Sequence, residues 1–460
     1  MLGKALETEI LELIETGDFD TLTEVLVSLS PAEVGEILED IPNEATTVIL
    51  GHLPPEFAGE AFASISLEQQ EDLLTASPGE RLSSVLNEMP PDDRTRLLES
   101  LPDEQRQSTI LSLNAEEREV AESLLDYPEG SLGRLMTPDY ITVRRDWTVE
   151  RVMRHVRAEG RESETINVLY VVDEDNHLLA DLRLRQVVMA RPGQKVEELM
   201  ESDSIVLKAT DDEETAVLTF RKYYRAALPV IDDRGKLVGI VTVDDVLDLA
   251  EEKATEDMQR MGGTEALEEP YLRIDLRKMV KKRAGWLVVL FLGELLTATA
   301  MGYFEHEIEK AVVLALFIPL IMSSGGNSGS QASTLVIRAL TLGEVSIVDW
   351  WRVAKRELIS GASLGLILGS IGFLRVLVWT FFSNIYGPHW LMLAVTIFFT
   401  LFGIVLWGAV AGSMLPLIMK RIGADPAVSS APFVATLVDV TGIVIYFTIA
   451  STLLRGTLLP

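Results

Sequence analysis

The sequence predicts a multidomain protein that combines an α-helical repeat superhelix, a duplicated α/β unit and a five-helix all-α transmembrane domain. Three observations support this: a twelve-residue repeat near the amino end, two copies of one strand and helix pattern in the middle, and five long apolar segments towards the carboxyl end. A length of 460 residues suits several domains rather than one. We place the domains at residues 1–130, 135–249, 250–283 and 284–460.

Charge is distributed unevenly along the chain. Residues 271–460 contain 15 Lys or Arg and 10 Asp or Glu, so residues 1–270 contain 25 and 60. A surface this acidic is unsuited to nucleic acid, whose phosphates need an excess of Lys and Arg. Cations are its natural partners, although acidity can also serve solubility alone. Cys is absent and the five His are scattered, so ions with oxygen ligands are the candidates.

A twelve-residue repeat runs from Val25 to Asn114. Each apolar repeat position is followed by Ser, Pro or Asn, and pairs such as Pro54-Pro55 are typical of helix starts. The apolar positions are Leu29, Ile41, Leu53, Ile65, Met89, Leu101 and Leu113, with Ser77 as the exception. One short helix per unit cannot bury a face alone, so the helices are predicted to stack into a superhelix. An irregular helical bundle is the alternative.

A strand and helix pattern occurs twice, beginning at Leu135–Pro138 and again at Leu199–Ser202. The predicted elements are strands Ile141–Val143, Val168–Val172 and Leu178–Leu184 with helix Val149–Arg157, then strands Ile205–Leu207, Leu228–Ile231 and Leu237–Val243 with helix Glu214–Tyr223. Alternation of strands and helices indicates an α/β unit. The duplication resembles a tandem pair of CBS domains over Leu135–Leu249.

The second copy contains Gly239–Asp245, which resembles the segment with which many CBS domains hold an adenine nucleotide. This resemblance implies that Thr242 and Asp244 face phosphate and ribose, with ATP or another adenine nucleotide as a regulator. The counterpart Ala180–Gln186 is degenerate, so at most one nucleotide site per chain is implied. The alternative is that the pair serves only as a dimerising fold.

A charged helix is predicted from Val246 to Met261, between the α/β pair and the apolar part of the chain. Acidic residues in and just before it are mostly spaced by three or four positions: Asp245, Asp248, Glu252, Glu256 and Asp257. Most of them therefore share one face, where like charges favour a bound cation. A solvated acidic face is the alternative. A basic cluster from Arg277 to Arg283 stands just before the first apolar segment.

Five apolar segments are long enough to cross about 30 Å of hydrocarbon. They are Ala284–Phe304, Ala311–Ile337, Val353–Phe382, Trp390–Ile418 and Ser430–Leu454. Basic residues precede the first segment and follow the second and fourth, which predicts cytoplasmic soluble domains and a carboxyl end outside the cell membrane. Residues 1–17 are acidic and lack the apolar run of a secretory signal, which agrees with this orientation.

Polar residues inside the predicted segments are costly and therefore informative. The second segment contains the Gly- and Ser-rich run Ser323–Gln331, which includes Asn327, while the fifth contains Asp439 and the first contains Glu294. Oxygen atoms of these three side chains predict a metal-ion pathway through the membrane. The alternatives are a tight helix seam at the glycine-rich run and structural hydrogen bonds for the two carboxyl groups.

Catalysis is not predicted. The sequence shows no nucleophile, base or metal set arranged for an enzyme, and it has no P-loop that would bind ATP for pumping.

The order of repeat helices, two CBS units, acidic connector and five spans resembles the MgtE magnesium transporters over the whole chain. The more specific motifs are Gly325–Gln331, Asp425–Ala427 and Asp439–Gly442. The resemblance implies a homodimer in the lipid bilayer, with its pore between protomers and Asp439 binding hydrated Mg²⁺. Transport of Mn²⁺ or Co²⁺, and a CBS membrane sensor without transport, are the alternatives.

The same resemblance implies that Mg²⁺ bound to the cytoplasmic domains and beside the connecting, or plug, helix holds the pore shut. Matching acidic residues are Glu60, Asp92, Asp212, Glu214, Asp245, Asp248, Glu256, Asp257 and Asp425, to which the helix spacing adds Glu252. Lys253, Tyr224 and Arg96 stand where an acid would help, so individual sensor sites are expected to be missing or displaced.

Overall fold

The computed structural model describes residues 2–76, 80–161, 163–201, 204–267, 271–272, 274–383 and 385–458. The chain forms two compact units, Met1–Glu251 and Glu252–Pro460. The first unit contains short helices and two small sheets, and the second contains the long apolar helices. This architecture confirms the predicted fold class.

The amino-terminal part of the first unit is a succession of short helices. They are α1 (Leu2–Thr16), α2 (Phe19–Val27), α3 (Pro31–Asp40), α4 (Asn43–Leu50), α5 (Pro55–Ala63), α6 (Leu67–Ala76), α7 (Glu80–Asn87), α8 (Pro91–Ser100), α9 (Asp103–Ser112) and α10 (Ala115–Leu125). In α3, Ser30 caps the first turn, Glu33 bonds back to Ser30, and Pro31 holds the first position. Leu29 is half-buried and the other six apolar repeat positions are buried, whereas Ser77 lies outside the described residues.

Polar side chains join several of these helices to the preceding one, at a position that the apolar repeat did not reveal. Arg106, the fourth residue of α9, donates to the carbonyls of Leu98 (2.7 Å), Glu99 (3.1 Å) and Leu101 (2.9 Å) at the end of α8. The same fourth position is held in α6, α8 and α10 by Gln70, Arg94 and Arg118. Because helix ends leave carbonyls without partners, the twelve-residue period repeats a cap as well as an apolar contact.

The two α/β copies share one topology. Their elements are α11 (Leu132–Leu135), β1 (Thr142–Val143), α12 (Val149–Glu159), β2 (Val168–Val172), β3 (Leu178–Arg183) and α13 (Leu184–Met189), then β4 (Leu207–Lys208), α14 (Glu213–Tyr223), β5 (Ala227–Ile231) and β6 (Leu237–Thr242). In each sheet the first strand pairs parallel with the second, which pairs antiparallel with the third. Both middle strands shift register at their last two residues, at Val171/Val172 and at Val230/Ile231. A shared irregularity supports the predicted duplication.

The connecting helix, α15 (Val243–Met261), begins three residues earlier than predicted, directly after β6. It starts in the first unit and ends in the second. Its end is followed by Gly263, whose φ of +75° favours glycine. A Cβ there would also lie 2.9 Å from the Trp286 ring, so this turn can seat closely on the membrane helices only with glycine.

Five segments of the described residues are long and apolar enough to cross a membrane: Leu276–Tyr303, Val312–Thr341, Ile347–Phe382, Trp390–Arg421 and Ala431–Leu453. Their helices are α16 (Leu276–Tyr303), α17 (Glu305–Lys310), α18 (Val312–Ala315), α19 (Ile318–Thr341), α20 (Trp350–Phe382), α21 (Trp390–Arg421) and α22 (Ala431–Leu453). The second span is interrupted between α18 and α19, where Pro319 lies in the first turn of α19. The break in the second span therefore lies before the glycine-rich run, and the run itself is helical.

Glycine allows α19 and α21 to touch backbone to backbone. A Cβ on Gly408 would lie 2.5 Å from the carbonyl oxygen of Gly325, and a Cβ on Gly412 would lie 2.1 Å from that of Gly329. Small residues are the usual means of close helix contact in lipid, where no hydrophobic force draws helices together. This face of the glycine-rich run is therefore a helix seam.

Candidate ion pathway and acidic sensor

Asp439 lies two turns into α22, whose first turn is capped by Ser430. It is half-buried, and a Cβ on Gly326 of α19 would lie 3.9 Å from its Oδ1 atom. On α16, Glu294 is close enough to interact electrostatically with Asp439. The two helices meet next to this pair, because a Cβ on Gly293 would lie 2.9 Å from the Thr436 side chain. The structure thus brings together the two predicted intramembrane carboxyl groups.

Asn327 lies on the face of α19 opposite the glycine seam. Its Nδ2 donates to Ser323 Oγ one turn earlier at 3.3 Å, and both side chains are exposed in the single protomer. By contrast Ser328, the next residue, is buried and donates to the Val405 carbonyl at 3.1 Å. One face of this helix is therefore the glycine seam, and the face that bears Asn327 is open in the single protomer. Ser323 and Gly326 were inside the predicted run but were not singled out.

A cluster of acidic groups lies in the first unit, around the start of α15. Burial, followed by the charges of Asp245 and Asp93, raises the pKa of Asp92 well above its usual range. Burial and the charge of Asp245 raise the pKa of Asp93 to about 7, although Arg96 acts in the opposite direction. Burial is also the main cause of the raised pKa of Asp245. These groups destabilise one another when ionised.

Glu164 completes this cluster from the loop before β2. The residue as a whole is exposed, but desolvation of its carboxyl group and the charges of Asp245 and Asp244 raise its pKa to about 7. Sequence analysis identified Asp92 and Asp245 but missed Asp93 and Glu164. Asp93 lies in the first turn of α8, where an acid favours any helix and so marks no site, and nothing local marks Glu164, which is brought there by the fold.

The acidic side chains are not arranged as a complete set of metal ligands in this structure. Among the described residues, no three His, Asp or Glu side chains are grouped so that they could hold a metal ion. Asp92 Oδ1 is buried without a hydrogen-bond partner in the described part of the chain. Asp245 accepts a hydrogen bond from the Thr242 hydroxyl. A cation would therefore have to draw these carboxylates closer or use ligands from a second protomer.

The other predicted sensor residues of the first unit are exposed. Asp212 caps α14 by accepting from the Thr215 backbone at 2.8 Å, which gives it a structural role. Glu60 and Glu214 are exposed. Asp248 is exposed on α15, yet its charge contributes to the raised pKa of Asp93.

The end of α15 carries the remaining predicted acids. Arg260 forms ion pairs with both Glu256 and Asp425. Asp257 Oδ2 accepts from Thr341 Oγ1, at the end of α19, at 3.2 Å. Glu252 is exposed. The acids near the membrane helices thus have protein partners, one of which is a cation that the sequence analysis did not consider.

The two residues that the CBS motif implies for nucleotide binding, Thr242 and Asp244, do not line the cavity of this region. Thr242 is buried, and Asp244 is exposed nearby. A cavity of about 620 Å³ opens instead at the degenerate first copy. Among the residues lining it are Asn167, Arg183, Arg185, Tyr224, Arg225 and Ala226. Tyr224, one of the positions without an acid, has a φ of +50° and a largely exposed ring at the rim.

Three regions of the chain match models of known protein families. The model of the divalent cation transporter family MgtE matches residues 318–449, that of the MgtE intracellular N domain matches 29–130, and the CBS domain model matches 132–192 and 196–252. These matches define a multi-pass membrane transporter for divalent cations with a CBS-containing soluble part.

Relatives extend the match to the whole chain. The magnesium transporter MgtE of Thermus thermophilus is 36% identical over 99% of this chain and 100% of its own length. MgtE of Bacillus subtilis is 27% identical over 97% of each. A crystal structure of the soluble part of a magnesium transporter is 26% identical, with a TM-score of 0.52 over 55% of this chain and 99% of that one. The protein belongs to the MgtE family.

Proposed function

We propose that the protein is a Mg²⁺-selective, channel-like transporter that closes when intracellular Mg²⁺ binds its acidic cytoplasmic domains. The observation that carries the proposal is the position of Asp439 within a membrane-spanning helix, near Glu294 of α16 and next to Gly326 of α19. Carboxylates at such depth need a cation, a proton or a partner. No Lys or Arg among the described residues forms an ion pair with either one.

Permeation follows from the chemistry of Mg²⁺. This ion keeps several of its waters and is usually held by one or two carboxylates. Asp439 would act on the hydrated ion, and the Asn327 and Ser323 oxygens would accept hydrogen bonds from its water. Recognition without full dehydration allows the ion to leave again. A homodimer with its pore between the protomers would bring two copies of Asp439 to one ion, and the carboxyl end would lie outside.

Gating follows from the acidic cluster. Asp92, Asp93, Asp245 and Glu164 repel one another when ionised, as their raised pKa values show. A divalent cation between them would offset that repulsion and stabilise the arrangement that brings them together. A ligand shifts a conformational equilibrium only through different affinities for the two states, and paired carboxylates supply such a difference.

Uptake of ²⁸Mg into proteoliposomes tests both halves of the proposal. Internal Mg²⁺ is varied through the millimolar range of weak carboxylate sites. We expect uptake that falls as internal Mg²⁺ rises, and competition by Mn²⁺ or Co²⁺ measures selectivity. Uptake equal to that of empty liposomes would refute transport, whereas uptake indifferent to internal Mg²⁺ would refute the gate alone.

Nucleotide regulation is a second candidate, favoured by the cavity at the first α/β copy. Arg183 and Arg185 offer positive charge for a polyphosphate, whereas Arg225 is already paired with Asp181, and Tyr224 offers a ring on which a base can stack. Arg185→Gln should weaken the binding of a fluorescent ATP analogue, whereas Arg191→Gln, outside the cavity, should not. Loss of binding in Thr242→Val instead would favour the site implied by the CBS motif.

A further inference from the structure

Two carboxylates and one guanidinium meet where the connecting helix reaches the membrane helices. Arg260, in the last turn of α15, pairs through one nitrogen with Glu256 on the same helix and through another with Asp425 before α22. All three side chains are about one-third exposed, so the pairs are partly shielded from water. Asp425 also caps the short turn at Pro426–Val428, accepting from the Ala427 backbone at 2.8 Å. Its position is therefore fixed by the backbone of the loop.

Further contacts seat this end of α15 on the same helices. Asp257 accepts from Thr341 at 3.2 Å. After the turn at Gly263, Lys282 Nζ donates to the Ala266 carbonyl at 2.7 Å, and Trp286 Nε1 donates to Ser430 Oγ at 3.1 Å. Ser430 in turn caps α22, which carries Asp439. The Arg260 contact therefore belongs to a set of contacts that extends to the first turn of α22, the helix that contains Asp439.

Without Arg260, Glu256 and Asp425 would face each other as like charges. A bound Mg²⁺ could neutralise such a pair, but it leaves when its concentration falls. A guanidinium stays charged at any physiological pH, offers several donors in a planar fork and cannot dissociate from the chain.

We propose that Arg260 is a positioning residue that acts as a tethered cation: it holds the connecting helix against Asp425 without metal. Metal dependence of closure then arises at other acids, foremost the cluster around Asp92 and Asp245. The consequence for gating rests on the proposed function, whereas the metal-independent contact does not.

The contact can be measured without any flux, because the chain contains no Cys. Cys replacements of Asp257 and Thr341, whose side chains touch, report seating of α15 through the rate at which a fixed concentration of oxidised glutathione, a metal-free oxidant, converts the two thiols to a disulfide in the full-length protein. With Arg260 present, we expect the rate in EDTA to match that in Mg²⁺. Arg260→Gln should slow it in EDTA about fivefold, the upper range for partly exposed ion pairs, and Mg²⁺ should restore part of it. Arg352→Gln, which breaks the exposed pair with Asp349, is the matched control and should change nothing.

Two further variants separate charge from folding. Arg260→Lys keeps the charge and should retain most of the EDTA rate. Asp425→Asn can still cap its turn, and adding Arg260→Gln to it should have little further effect, because the facing charge is gone. An Arg260→Gln rate equal to that of the parent in EDTA, or a parent that forms the disulfide only with Mg²⁺, would overturn the proposal.

Flux recordings of the same variants without the Cys pair test the gate separately. Arg260→Gln should raise the internal Mg²⁺ concentration needed for half-closure. Flux in the parent that does not depend on internal Mg²⁺ would count against the gate only.

Discussion

The two units of the molecule join their helices in opposite ways. In the soluble unit, long polar side chains such as Arg106 and Arg118 reach across to the carbonyls that end the preceding helix. In the membrane unit, Gly408 and Gly412 remove side chains so that backbones touch. In water, apolar burial already draws helices together, and polar groups at helix ends are left to satisfy. In lipid the helix ends lie mostly outside the hydrocarbon, and close packing supplies the attraction.

Carboxyl groups show a second contrast. The soluble unit crowds Asp92, Asp93, Asp245 and Glu164 so that ionising one raises the cost of ionising the next. The membrane unit keeps Asp439 with Glu294 as its one near acid in the described residues. Crowding suits a sensor whose state must depend on cation concentration. Sparseness suits a pathway, because an ion held by many carboxylates would not leave.

The largest expected effect on transport comes from changing Asp439 in the membrane unit. Asp439→Ala should reduce Mg²⁺ uptake at least about tenfold, since it removes the principal charge that attracts the ion inside the membrane. Asp439→Asn should be similarly impaired, because shape is kept but charge is lost. Uptake into proteoliposomes is the measurement, with elution volume as the check on folding. Glu294→Gln should have a smaller effect, and parental uptake in both Asp439 variants would remove this residue from the pathway.

Next in size is the glycine seam. Gly412→Ala should destabilise the membrane unit by about 1–3 kcal/mol or more, because the new Cβ would overlap the Gly329 carbonyl oxygen. Gly403→Ala on the same helix is the control, since its nearest neighbour would be 3.7 Å away. Thermal unfolding in detergent compares the two. Equal melting temperatures would show that the backbones can separate at little cost.

The acidic cluster should make Mg²⁺ binding depend on pH. Asp93 and Glu164 have pKa values of about 7 in the folded protein, above the usual carboxyl range. The folded state therefore binds more protons than the unfolded state between about pH 4 and 7, and its stability without Mg²⁺ should fall as pH rises through that window. Mg²⁺ must displace those protons, so its affinity should rise about tenfold per displaced proton per pH unit below 7.

Calorimetric titration in buffers of different ionisation enthalpy counts the protons released. The other charged groups that act on Asp93 and Glu164 are the acids Asp139, Asp244, Asp245 and Asp248, which raise these pKa values, and Arg96, which lowers that of Asp93. Asp93→Asn should reduce proton release, whereas Glu68→Gln, outside the cluster, should leave it unchanged. An affinity that is flat from pH 6 to 8 would mean that Mg²⁺ binds elsewhere.

The sequence revealed what is periodic or what is costly. The twelve-residue repeat, the duplicated α/β unit and the five spans follow from apolar spacing and length, and Asp439 and Glu294 stand out because acids in lipid are expensive. Contacts set by the fold could not be read in advance. Glu164 joins Asp93 only through the packing of distant elements, and Arg260 meets Asp425 across 165 positions of the chain. The sequence of α19 also does not show which of its faces packs against other helices and which stays open, because that depends on where the neighbouring helices lie.

A second periodic signal, made of polar residues, supplies the smallest effect. Gln70, Arg94, Arg106 and Arg118 fall on the twelve-residue period, which the spacing of apolar residues alone does not reveal. Arg106→Met keeps much of the side-chain volume and removes three hydrogen bonds to the end of α8. Because Arg106 is partly exposed and water can replace some of these bonds, we expect the local free energy of unfolding to fall by about 1 kcal/mol.

Hydrogen exchange in the full-length protein should report faster exchange at the end of α8 and little change in α3. Gln107→Met, exposed on the same helix, is the control. If both variants leave exchange unchanged, apolar burial alone holds the repeat, and the contrast between side-chain caps in water and glycine seams in lipid would lose its first half.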